Sequence, residues 1–165
     1  MRKILVGDNK YALCDDEDYD ILIKYKWRMW GHYPRTDIGR DFKTMHRLIM
    51  NAKKGQIIDH IDRNKLNNQK SNLRFCTRSE NSKNRKASGK SKYLGVAIHQ
   101  TNVKYKQKTT GKVVEYISRP RYISHIKAND KYLHLGLFDC ERQAAIAYNN
   151  AAIKYHGEFA NLNKI

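Results

Sequence analysis

Apolar positions along the chain come in short runs separated by polar, turn-forming stretches. Ile4-Leu5-Val6 and Tyr11-Ala12-Leu13 flank Gly7-Asp8-Asn9, a turn-rich triplet, and predict an edge hairpin. Asp15 or Asp16 is expected to cap a helix to about Lys24 with Tyr19, Leu22 and Ile23 on one face, its acidic first turn at the positive end of the helix dipole. Tyr25, Trp27, Trp30 and Tyr33 are expected in the core. After a basic, turn-rich stretch, residues 42–50 resume apolar spacing around His46 and Arg47. A strand over 56–58, a long polar loop over 59–72 and a strand over 73–76 come next. Thr77-Arg78-Ser79-Glu80 then has the capping-box form, in which the Thr hydroxyl and the Glu carboxylate satisfy backbone N–H groups reciprocally, so Asn81 falls in the first helical turn.

From Asn84 to Ser91 the chain is polar and basic with no apolar anchor, which predicts a linker over 87–91 between domains at 1–86 and 92–165. Three strand-like runs follow, over 93–99, 121–127 and 131–137. Asp139 is then expected to cap a helix reaching His156, with Gly157 at its C-terminal end. Ala144, Ala147, Ala151 and Ala152 form a small-residue stripe that lets this helix lie close to a sheet. Alternation assigns Val96, Ile98, Tyr122, Ser124, Ile126, Leu133 and Leu135 to the covered face. Ala97, His99, Arg121, Ile123, His125, Lys127, Tyr132 and His134 fall on the open, basic one. The fold class is α+β, ending in a three-stranded antiparallel sheet packed on one helix. Lys104, Lys106 and Lys108, alternating with Tyr105 and Gln107, fit either a basic hairpin or a soluble loop.

Charge sharpens this picture. With 33 Lys+Arg against 16 Asp+Glu the 165-residue chain carries +17, and Asp8, Asp15, Asp16, Glu17, Asp18 and Asp20 gather acid into the first twenty residues. The centre and C-terminus are therefore strongly basic, a surface that seeks polyanions. No apolar run approaches the roughly 18 residues that cross a bilayer, and Met1–Gly7 lacks the apolar core of a signal peptide, so a soluble cytoplasmic protein is expected. Cys14, Cys76 and Cys140 are few, odd in number and far apart, which suggests reduced thiols and neither a disulfide framework nor a thiolate zinc site.

One constellation could do chemistry. Asp59 and His60 follow an apolar strand, Asn72 precedes the next, and the strand pair would bring Asp59 beside Asn81. A carboxylate and an amide oxygen are hard ligands suited to one Mg2+ or Mn2+, and His60 could deprotonate a water.

The stretch Ile58-Asp59-His60-Ile61-Asp62-x-Asn64-Lys65-x-Asn67-Asn68-x-x-x-Asn72-Leu73-Arg74, with Glu80-Asn81-x-x-Asn84-Arg85, resembles HNH homing endonucleases, in the group with Asn at the last signature position. The resemblance implies a nuclease module with a ββα metal core over about 56–86. It makes His60 the general base, Asp59 and Asn81 the metal ligands, and Asn72 the amide that pins the loop and orients the histidine. Met45-His46-Arg47-Leu48-Ile49 is similar to the segment upstream in such nucleases, with His46 in support and Arg47 on a phosphate.

Tyr93-x-Gly95-Val96, Leu135-Gly136-x-Phe138, Ala144-Ala145-x-Ala147-Tyr148 and Gly157-x-x-Ala160-x-Leu162-Asn163 resemble the ethylene-response-factor (APETALA-type) DNA-binding domain. That likeness implies a sheet laid in the major groove, with His99, Arg121, His125, Lys127, Tyr132 and His134 facing DNA. Ala97 and His134 stand where that family usually has Arg and Trp, and 100–118 is a long first connection. The whole chain is therefore expected to be a sequence-directed, homing-type DNA endonuclease of a phage-infected host. It would act as a monomer on double-stranded DNA with no protein partner, nicking to 5′ phosphate and 3′ hydroxyl. The alternative is a DNA-binding regulator with an inactive nuclease fold.

Overall fold

Gly7, Asp8 and Asn9 all take positive φ, and the turn they make closes β1 (Arg2–Leu5) onto β2 (Tyr11–Cys14), antiparallel, with Ile4 opposite Ala12. The computed structural model describes residues 1–165, which divide into one unit of residues 1–84 and a second of residues 85–165. It is a mixed α and β molecule of small antiparallel sheets and few helices. No helix is long and apolar enough to cross a membrane.

In the first unit α1 (Asp16–Leu22) follows β2, and Leu22 joins Ile4, Val6, Ala12, Cys14, Trp27 and Met45 in the core. Burying a side chain the size of Leu22 contributes about 2 kcal/mol. The Trp27 indole N–H also donates to the Leu22 carbonyl at 2.8 Å. The helix stops at Leu22, so Ile23 is exposed instead of sharing its inner face. Asp15 precedes the helix without capping it; its carboxylate accepts instead from the Lys70 N–H (2.8 Å) and the Gln69 amide (3.1 Å). Glu17 and Asp18 pair with the Lys70 ammonium, and Asp16 with Arg2 and the N-terminus. Three of the clustered acids, Asp15, Glu17 and Asp18, thus brace Gln69 and Lys70.

The basic stretch after Trp27 folds as a three-stranded meander, β3 (Arg28–Trp30), β4 (Tyr33–Ile38) and β5 (Asp41–Thr44). Trp27 is buried and Tyr25 and Tyr33 are half-buried, but Trp30 is exposed and lies beside Phe42, with the Arg35 guanidinium 4.0 Å over the Phe42 ring. Next come α2 (Met45–Ile49), β6 (Ile57–His60), β7 (Leu73–Cys76) and α3 (Arg78–Lys83). β6 and β7 pair antiparallel, Asp59 opposite Arg74 and His60 opposite Leu73. Both halves of the Thr77–Glu80 capping box are formed.

In the second unit β8 (Val96–His99), β9 (Asn102–Lys106), β10 (Val113–Ile117), β11 (Arg121–Ala128) and β12 (Lys131–Phe138) precede α4 (Glu141–His156). The sheet runs in the order β12-β11-β8, and β9 with β10 forms a separate hairpin within 100–118. Ala144, Ala145, Tyr148, Ala151 and Ala152 of α4 are buried with Leu94, Val96 and Ile126. Ser124 pairs with Gly136 but His125 with His134, so Leu135 is an extra residue in β12. Beyond this bulge the alternation inverts: Phe138 packs inward and Leu137 turns out. Ile98, at the end of its strand, is also exposed.

Two boundary expectations change. Cys140 holds the N-cap position of α4, and the Asp139 carboxylate instead accepts from Arg121 at 3.0 Å. Residues 87–91 are built into the second unit. Ala87 packs on its core, and buried Ser91 donates to Glu141 (2.7 Å) while accepting from the Tyr93 N–H (3.0 Å).

Candidate active site

β6 ends on Asp59 and His60, both buried despite being ionisable. The Asp59 carboxylate faces the guanidinium of Arg74 across the strand pair, at 2.8 and 3.2 Å. From the end of α3 the Asn84 amide donates to both Asp59 oxygens (2.9 and 3.1 Å) and toward the His60 and Ile61 carbonyls (3.0 and 3.2 Å). The hydrogen-bonded amide at Asp59 is therefore Asn84, while Asn81, one turn earlier, is exposed. The two lie three residues apart, hence on one face of the helix. That spacing was the available signal for Asn84.

The His60 Nε2 lies 3.2 Å from the Asn68 Oδ1. Asn68 is itself fully buried, and its amide nitrogen donates to the Lys65 carbonyl at 3.3 Å, which leaves its oxygen for the histidine. An acceptor at Nε2 fixes the tautomer with hydrogen on Nε2 and a lone pair on Nδ1. Nδ1 is buried and has no partner. Burial is the largest cause holding this imidazole below its usual value; the Asn68 bond acts upward, and Lys65 adds to the lowering. The ring is thus neutral at pH 7.

Asn72 acts on the loop. Its oxygen accepts from the Asp62 N–H (3.0 Å), and its nitrogen donates to the Asp62 carboxylate and the Asn67 carbonyl, both at 2.8 Å. The Asp62 carboxylate also accepts from the Asn64 N–H and the Asn67 amide, each at 2.8 Å. Burial works to raise the Asp62 carboxyl, and these bonds outweigh it and hold it below the usual carboxylate range. The contact on the His60 ring itself comes from Asn68 in place of Asn72.

Above His60 lie two more rings. His46 meets it edge-on at 5.1 Å, and Tyr33 lies 6.1 Å away. Burial, then the neighbouring His60, pushes the His46 imidazole down to about 3. Its Nε2 is 3.4 Å from the Thr44 hydroxyl. Arg47 clamps the following loop: its guanidinium binds the carbonyls of Gln56 (2.6 Å), Lys53 (2.7 Å) and Ala52 (3.5 Å).

A divalent ion fits the donor chemistry here. Asp59 and Asn81 offer one carboxylate and one exposed amide oxygen, hard ligands that leave most positions to water and phosphate, and His60 Nδ1, next to Asp59 in sequence, is an orphaned buried acceptor. No cluster of three His, Cys, Asp or Glu side chains offers a richer site.

In the second unit His99, Arg121, Lys127, Tyr132 and His134 are exposed and His125 is half-buried. Register sets Arg121 opposite His99, His125 opposite His134 and Lys127 opposite Tyr132. Exposed acids temper two of these charges: Asp139 on Arg121 and Asp130 on Lys127 at 3.2 Å.

A buried Asp-His pair at a strand end, an asparagine-tied loop and a capped helix carrying Asn81 and Asn84 lie together here, and comparison with known proteins gives the class. The family model for HNH endonuclease matches residues 43–83. The chain belongs to the HNH endonucleases and is a DNA-cleaving hydrolase. Among its relatives is an uncharacterized HNH endonuclease of Acanthamoeba polyphaga mimivirus, 32% identical over 167 residues, a match spanning 96% of this chain and 78% of the relative.

Proposed function

We propose that this is a homing-type endonuclease that nicks double-stranded DNA at selected sites, the first unit cutting and the second selecting. The observation that carries the reading is the His60 tautomer: Asn68 holds Nε2 as the donor, leaving the Nδ1 lone pair of a neutral, desolvated imidazole to take a proton from water. His60 is fully buried in the free protein, so water reaches Nδ1 only when a covering ring such as Tyr33 or His46 shifts on DNA binding.

Asp59 and Asn81 would hold Mg2+ or Mn2+ at a ββα core made of β6, β7 and α3. When bound, such an ion supplies Lewis-acid stabilisation of the charge developing at phosphorus and on the departing oxygen. Asn84 and Arg74 orient the Asp59 carboxylate, and Asn72 holds the loop that carries Asn68. Attack by water opposite the 3′ oxygen leaves 5′ phosphate and 3′ hydroxyl. One site per chain fits a nick made by a monomer.

For the second unit the reading is a DNA-binding domain of the ethylene-response-factor type. Its support is a three-stranded sheet backed by one helix, with basic and aromatic side chains on the uncovered face. A second reading, a DNA-binding regulator with a silent nuclease fold, draws on one observation: Asp59 is already neutralised by Arg74. Conversion of supercoiled plasmid to nicked circle by wild type and His60→Ala, with magnesium, manganese or chelator, separates them. Metal-dependent nicking lost in the variant supports the nuclease. Binding without nicking across a library of sites favours the regulator.

A further inference from the structure

Beside the catalytic histidine lies an open cleft of about 430 Å³, walled by Lys10, Met29, His32, Tyr33, Arg63 and Lys65, with no carboxylate in its lining. Like charges gathered without counter-ions repel one another, and a protein places them so where an anion will sit. The nearest acid in sequence, Asp62, is consumed by the asparagine loop.

Arg63 is built into the cleft at a backbone cost. Its φ is +63°, the left-handed region that a long side chain rarely adopts, held by its N–H on the His60 carbonyl at 2.8 Å. Its side-chain Nε is nevertheless buried with no hydrogen-bond partner. Lys65 lies 5.6 Å over the Tyr33 ring and makes no ion pair. Tyr33 is shared: it is a wall of the cleft, and its ring is 6.1 Å from that of His60.

We propose that this cleft binds a backbone phosphate of the strand being cut, flanking the scissile one, with Arg63 and Lys65 as its principal contacts and Lys10 and His32 at its rim. The assignment rests on the nuclease reading for which strand it names, but binding can be tested apart from cutting. Arg63 and Lys65 would bind the strand at a phosphate away from the reacting atoms. The same contacts in ground and transition states lower KM with little effect on kcat.

The test uses the full chain carrying His60→Ala, a duplex from a nicked plasmid region or, failing that, of random sequence, and binding measured across a salt series. Arg63→Asn suits the left-handed backbone, and Lys65→Met keeps the length of the side chain. Each is expected to weaken binding roughly five- to tenfold at about 0.1 M salt and to lower the slope of log K against log salt by about 1. Lys3→Met, on β1 and outside the cleft, should change neither appreciably. In the chain with His60 intact, Arg63→Asn should raise KM for plasmid nicking while kcat stays near wild type. Unchanged affinity and slope in both cleft variants would overturn the proposal even if wild type nicks. A reduced slope in a protein that never nicks would sustain the phosphate site and refute the nuclease reading instead.

Discussion

The side-chain nitrogen of Asn84 lies 2.9 and 3.1 Å from the two carboxylate oxygens of Asp59, tying the end of α3 to the end of β6. A short helix cannot hold itself in water, so this tie and the capping box fix where Asn81 stands. Asn84→Ala should cost about 2 kcal/mol of first-unit stability, because buried Asp59 loses a donor. Trp27 and Trp30, the chain's two tryptophans, both lie in that unit, so urea unfolding followed by tryptophan fluorescence reads the loss. Nicking should fall further than stability does, as α3 loosens.

Arg74→Met leaves the Asp59 charge buried with Asn84 as its remaining side-chain donor, at an expected cost of about 3 kcal/mol. Asp59→Asn in the same background should recover part of it. A double-mutant cycle that gave simple additivity would show that the pair is not coupled.

His46 gives a pH dependence whose sign is fixed by burial. Its folded value, about 3, lies below the ordinary 6.5, so protonation favours the unfolded chain. Stability is full above about pH 6.5 and falls as the pH drops toward 3; the loss at pH 5 is on the order of 2 kcal/mol. His60 acts in the same direction. First-unit urea midpoints should therefore drop between pH 7.5 and pH 5, and His46→Gln should flatten that drop.

Gly95→Ala is expected to unfold the second unit alone. A Cβ there would lie 1.9 Å from the Tyr148 ring and 2.7 Å from the His125 carbonyl, at a φ of +74°. Neither the ring nor the strand can yield that far, and the cost should exceed about 3 kcal/mol. Circular dichroism should lose the α4 signal while tryptophan emission stays native.

Much of this was legible in the sequence where local chemistry decides. Gly7-Asp8-Asn9 marked the first hairpin, Thr77 and Glu80 marked α3, and alternation assigned most of the β8, β11 and β12 side chains to faces. What escaped depends on tertiary partners. The meander from Arg28 to Thr44 interleaves charged and aromatic residues, so its period of two was masked. The Leu135 bulge inverted alternation after His134. Asn68 and Asn84 stood within recognised asparagine spacings, but only the fold shows which amide meets the imidazole and which the carboxylate. The clamp that Arg47 makes was not legible because its partners, three carbonyls of the following loop, carry no side-chain signature.

The web joining Asp62, Asn64, Asn67 and Asn72 has a kinetic meaning. Every bond in it lies within the chain, so the loop that bears Asn68 is ordered when the protein folds, before DNA arrives. The conformational entropy of arranging a twelve-residue segment, 61–72, stays out of the activation barrier for cutting.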